Sequence, residues 1–337
     1  MTTDAHVHHD DELFGNGQAD GGRLLRSIAG DPWDNPLLTR GSITHRVFSD
    51  VGSAPYTVMA VFVLGTVQPA VGQALDQHEP LMNGARSRSI GTVFLRMRHS
   101  YEIAFGILLG KTAEERITAV HTLRELHRVI QGRMPDGSRY HAWQRDVWAY
   151  AWLGIFMGII EAYDFARGFT SDRERFDAIA GCIEVGKLFG VAGIPETQPE
   201  FEAYWDNFVH NEAASNAAVQ YIMEQVGPDI LKPAKAQWIP QPVWAVITLP
   251  MRRVFRVGVV ATFPAAIKTK VGFRETRVDR VEAAIHRRFW RVVPKRATEY
   301  AGQSAFRVLT TVGRPAWKGA FSEQKLAERR ASLGERS

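Results

Sequence analysis

Residues 147–160 read VWAYAWLGIFMGII. Asp146 and Glu161 bound the stretch, so 14 residues run without a charge. That is fewer than the roughly 20 a membrane-spanning helix needs. A helix that is apolar on all sides and too short to cross a bilayer belongs at the centre of a helical core.

Glycine and proline punctuation sets off further segments with helical periodicity on either side. The pattern predicts helices near 55–67, 69–78, 91–109, 112–131, 142–167, 171–190, 198–226, 242–260, 276–290 and 296–311. Strand alternation is scarce and no βαβ rhythm appears. The expected fold is all-α, a single large multi-helix domain. Residues 1–22 read as an acidic, flexible tail and 23–240 as the main helical domain. Residues 241–320 read as a basic helical extension packing on the same domain, and 321–337 as a polar tail. The run PVWAVITLPMRRVFRVGVVATFPAAI, 242–267, is apolar, broken by proline and basic at its centre. It suits a packing layer or a segment lying against a bilayer.

The chain has 337 residues, 45% hydrophobic and 23% charged, within the globular range. Its single cysteine, Cys182, excludes a disulfide framework and a thiolate metal cluster and fits a reducing compartment. The N-terminus has no basic flank leading into an apolar run. These features point to a cytoplasmic location, with peripheral membrane association as the variant. From Met251 to Ser337 there are 20 Lys/Arg against 7 Asp/Glu, so the net charge of +5 hides a basic C-terminal part. Such a part attracts an anionic membrane surface or an acidic partner, or is simply a solvated face. No recognition motif for nucleic acid accompanies it.

Few residues carry metal or redox chemistry. DAHVHHDD, 4–11, holds an HxH pair, but too few apolar residues precede it to build the strand such pairs terminate. It reads as a His/Asp-rich tail. In TAEERITAVHTLRELHRVIQG, 112–132, helical spacing aligns Ala113, Ile117, Val120, Leu123, His127 and Ile130. His127 therefore lies on the apolar stripe, as a hydrogen-bonded core histidine or as a ligand. His121 falls on the polar flank. In the preceding GTVFLRMRHSYEIAFGILLG, 91–110, Arg96, His99, Ser100 and Ile103 share a face, and Gly106 would let a flat ligand approach. The short Gly110–Lys111 link makes these two helices antiparallel neighbours. One inward imidazole without carboxylate companions is a poor zinc or di-iron site. It suits haem, whose porphyrin brings four further nitrogens. Arg96, Arg98, Arg124 and Arg128 would then face the propionates. Tyr101, Phe105, Trp148, Trp152 and Phe156 line an apolar channel or are plain core.

Taken in order, these stretches resemble the rubber-oxygenase/MpaB catalytic-domain family, which includes the latex-clearing proteins. The similarity begins at GSITHRVFSD (41–50), LGTVQPAVGQALDQHE (64–79) and FLRMRHSYEIAFGILLG (94–110). It continues through LRELHRVIQG (123–132) and from Ser138 to Asp177. It ends with VGKLFGVAGIP (185–195) and EFEAYWDNFV (200–209). The resemblance implies an all-α fold with a globin-like helical core and a b-type haem held by His127. It places Arg96, His99 and Ser100 on the distal side, where His99 replaces the family's lysine. Glu79 is nearest by spacing to a distal glutamate, and Tyr150 stands where many relatives carry histidine. The implied activity is a haem b-dependent oxygenase using dioxygen on an apolar substrate, isoprenoid or otherwise alkene-bearing. The site assignment is then Arg96, His99 and Ser100 as catalytic, His127 as iron ligand, and Arg98, Arg124 and Gly106 beside the cofactor. Two other readings stand beside it: a haem electron-transfer or sensor protein, and a cofactor-free helical protein attached to a membrane or partner.

Overall fold

The computed structural model describes residues 35–78, 106–110, 113–227, 230, 232 and 236–312. The stretch 147–160 lies in helix α5, Arg145–Arg167. The helices before it are α1 (Ile43–Ser49), α2 (Ala54–Leu64), α3 (Pro69–His78) and α4 (Ala113–Arg128). A short antiparallel ribbon, β1 (Gln131–Arg133) and β2 (Arg139–His141), separates α4 from α5. After α5 come α6 (Asp172–Leu188), α7 (Gln198–Asn207), a π-helical turn at Phe208–Glu212, and α8 (Ala217–Glu224). The C-terminal part holds α9 (Gln241–Ile247), α10 (Leu249–Thr262), α11 (Ala265–Lys270), α12 (Arg277–Val292) and α13 (Lys295–Val312). The fold is all-α apart from that ribbon.

α5 is the axis of the molecule. Seventeen of its 23 residues are buried, which places it in a core on every side. α1, α2, α3, α6, α10 and α12 all pack against it. The closest crossing is with α2, because α5 presents Gly154 and Gly158 one helical turn apart. A Cβ on Gly154 would overlap the Leu64 carbonyl, and one on Gly158 would come within 2.8 Å of the Ala60 Cβ. No single helix among the described residues is long and apolar enough to cross a membrane.

Helix ends follow local chemistry. Ser42, Ser171 and Asn216 cap α1, α6 and α8 by accepting the amides of His45, Glu174 and Val219. Where the periodicity predicts one helix over 198–226, the chain breaks. Ala214 donates its amide to the Val67 carbonyl, and the Asn216 side chain donates to the Thr66 carbonyl. Tertiary hydrogen bonds to the link between α2 and α3 thus replace a turn of helix. The predicted helix at 242–260 is divided at Thr248, whose hydroxyl donates to the Trp244 carbonyl, and restarts with Pro250 in the first turn. α1 and α11 are short helices that the periodicity does not predict.

Candidate functional site

The site is built where α4 ends. The spacing predicts helix to residue 131, but α4 stops at Arg128 and the chain turns into the ribbon. Pro135, Asp136 and Gly137 make its turn, with Gly137 at φ +87°. The ribbon pairs Gln131 with His141 and Gly132 with Tyr140. His141 then locks the junction. Its Nε2 donates to the Arg128 carbonyl at 3.0 Å, and its Nδ1 accepts the Trp143 amide at 3.0 Å. Burial lowers the His141 pKa, which favours this neutral, single-tautomer bridge. The last turn of α4 is thereby held against the first turn of α5.

That placement brings His127 to Trp148. The ring centres are 4.8 Å apart at 58°. The His127 Nδ1 donates to the Leu123 carbonyl at 2.8 Å. A carbonyl only accepts, so Nδ1 carries the proton, and in the neutral ring Nε2 keeps its lone pair. His127 is half-buried rather than enclosed, while Val120 and Ala119, further back on α4, are buried. His121 is exposed, on the flank the spacing assigns to it.

Arg124 lies one turn before His127. Its guanidinium stands 5.0 Å from the ring centre of Trp143. It also occupies the space a side chain at Gly190 would fill, and Gly190 has φ +87°. The Trp143 indole N–H is buried and has no acceptor among the described residues. A cation and an orphaned donor at one corner suit an anionic group such as a carboxylate. Arg128 instead pairs with Glu125 at 2.9 Å on the surface. Gly106 is buried and its carbonyl accepts the Gly110 amide, and Ile107 and Leu108 beside it enter the core.

The aromatic series behind His127 is packed core. Trp148 donates its indole N–H to the Phe189 carbonyl at 3.3 Å, and Trp152 donates to the Cys182 carbonyl at 2.8 Å. Trp152 meets Phe189 edge-on at 4.8 Å, and Phe156 stacks near Phe201. Tyr150 turns elsewhere and stacks between Tyr204 and Phe208. Arg96, Arg98, His99, Ser100, Tyr101, Phe105 and Glu79 lie outside the described residues. His78 bonds the Gln131 carbonyl at an exposed end of α3. Among the described residues, no group of three or more His, Cys, Asp or Glu side chains is placed to hold a metal ion.

A family model described as "ER-bound oxygenase mpaB/B'/Rubber oxygenase, catalytic domain" matches residues 45–295. The chain belongs to that family. The match runs through α2, α5 and the His127 corner and on to the first residue of α13. Neither the curated proteins nor the solved structures compared with the chain gave a match. Membership makes the protein an oxygenase-family member, and so an oxidoreductase with dioxygen and a small molecule as reactants.

The sequence alone does not reveal Trp143 as part of this corner. The signal for it was present in MPDGS, 134–138, a turn sequence between two polar stretches. Reading that turn as a hairpin would have folded Trp143 and Trp148 back onto His127.

Proposed function

We propose that this family member is a haem b-dependent oxygenase acting on an apolar, alkene-bearing substrate, with His127 as the iron ligand. The observation that carries the reading is the Nδ1 hydrogen bond from His127 to the Leu123 carbonyl. It fixes the tautomer, with the proton on Nδ1 and the lone pair on Nε2, and sets the ring's orientation, as a metal-ligating imidazole requires. With no group of three or more ligating side chains among the described residues, a histidine here fits a cofactor that brings its own nitrogens better than a bare ion. The Arg124–Trp143 corner supplies a cation and a donor suited to a carboxylate of such a cofactor.

Haem iron, when bound, supplies the one-electron chemistry that activates dioxygen. The rest is the work of this chain. His127 would hold the iron, and Trp148 braces the imidazole from one side. Arg124 would face a carboxylate of the cofactor, and the buried Trp148–Phe189–Trp152 series would keep water from the space behind His127. The family resemblance assigns Arg96, His99 and Ser100 to the substrate side of the cofactor, where Arg96 and Ser100 would offer hydrogen-bond donors.

The test is an absorption spectrum and pyridine haemochrome assay on protein made with ample haem, for wild type and His127→Ala. The expected result is a b-type spectrum that the substitution abolishes. Protein with no Soret band removes the haem reading. Carbon monoxide binding to the ferrous form separates an oxygenase site from a six-coordinate electron carrier closed by His99.

A further inference from the structure

α12 is turned inside out. Val278, Val281, Ile285, Phe289 and Val292 form a single apolar stripe at helical spacing. A stripe of this kind ordinarily faces a core, yet these five side chains are 56–73% exposed. The face toward the protein carries Ala283 and the Trp290 ring together with polar groups that are bonded in place. Asp279 is wholly buried and takes the Arg256 guanidinium at 2.9 and 2.6 Å. His286 Nδ1 lies 2.9 Å from the Tyr56 hydroxyl, which also accepts the Trp290 indole N–H at 2.7 Å. Arg167 donates to the carbonyls of Trp290 and Val293. Rolling the helix to bury its stripe would break every one of these bonds. The outward stripe is therefore set by the fold.

The exposed charges on α12 itself are all positive. Arg277, Arg280, Arg287, Arg288 and Arg291 are exposed on α12, and Lys295 and Arg296 follow. The helix has two acids. Asp279 is buried, and Glu282 is held by Arg253 at 2.6 Å. On the wheel, Arg277 and Arg288 border one flank of the stripe, Arg291 lies beyond them, and Arg280 turns further away, 3.8 Å from Glu275. The Arg253–Glu282 pair also brings α10 beside α12. At the α9–α10 junction Val246, Ile247, Leu249 and Met251 are 42–71% exposed, and Trp238 just before is 81% exposed.

We propose that α12, with the α9–α10 junction, is a docking surface for an anionic lipid bilayer. The helix would lie in the interfacial plane with its stripe among the acyl chains and its arginines at the phosphates. An anionic bilayer offers an apolar interior beneath a negative surface, and this face needs both. A second copy of the chain fits poorly, because a two-fold contact through α12 would set the arginine row against itself.

The full chain is floated with phosphatidylcholine vesicles, with and without phosphatidylglycerol. Co-flotation is expected with the anionic vesicles at low salt and is expected to fall toward zero near 1 M salt, where the Debye length is about 3 Å. The pair Ile285→Asp/Phe289→Asp is expected to abolish flotation with its thermal melt unchanged, since both sites are exposed. Arg280→Glu/Arg288→Glu is expected to weaken it at least roughly ten-fold. Wild-type protein that never floats overturns the proposal, as do stripe variants that float like wild type. A wild-type dimer that the stripe pair dissolves, without vesicle binding, would assign the face to a second copy instead.

Discussion

The imidazole of His127 and the indole of Trp148 stand 4.8 Å apart although a ribbon and a turn separate them in sequence. Trp148 is 8% exposed and anchored to the Phe189 carbonyl. Trp148→Ala removes the brace and leaves a cavity, at an expected cost of about 3–5 kcal/mol. Trp148→Phe keeps a ring there and loses mainly one hydrogen bond, about 1 kcal/mol. Urea unfolding of the two variants checks the order. Haem retention is expected to fall in the first and persist in the second.

Gly154→Ala tests the α2–α5 crossing. The added methyl would overlap the Leu64 carbonyl and lie 2.8 Å from the Gly65 nitrogen, and backbone cannot swing aside. The expected loss is about 3 kcal/mol. It exceeds the roughly 1 kcal/mol that alanine gains over glycine in a helix. Thermal unfolding read by far-ultraviolet circular dichroism gives the sign.

Arg167 and Asp50 form an ion pair at 2.9 Å with both side chains 1% exposed. Removing Arg167 strands a buried carboxylate, so Arg167→Ala is expected to cost about 3–5 kcal/mol. Asp50→Ala made on top of it should cost far less than Asp50→Ala alone. A double-mutant cycle in urea measures that coupling. Loss of the Arg167 bonds to the Trp290 and Val293 carbonyls should also speed amide exchange at the end of α12.

Stability should fall with acid in two separate windows. Burial, then the charges of Arg40 and Arg116, hold His45 down from the usual 6.5 to about 4. The unfolded chain therefore binds the extra proton first. The stability this contributes is complete above pH 6.5 and is lost as pH falls to about 4, on the order of 3 kcal/mol. His45→Gln should flatten that window in unfolding curves at pH 7 and 4.5. Burial opposes the Asp279 carboxylate, but Arg256 and the Thr276 amide and hydroxyl outweigh it and hold its pKa well below the usual carboxylate range. Its share is complete above about pH 4 and is lost below that. Asp279→Asn should remove this second window and leave the first.

The sequence by itself determined that α5 is central, because a stretch apolar on all sides has nowhere else to go. It likewise determined the helical class and most helix positions, which local periodicity encodes. It placed His127 and Arg124 one turn apart on one helix, and the order of its motifs carried the family. The tertiary structure alone decided what those residues meet. The Trp143 and Trp148 contacts depend on a hairpin that reverses the chain. The break at 213–216 depends on the carbonyls of Thr66 and Val67 in the link after α2. The direction in which α12 faces was also beyond periodicity. A helical stripe records which residues lie together, but the buried bonds of Asp279, His286 and Trp290 decide which side is turned inward.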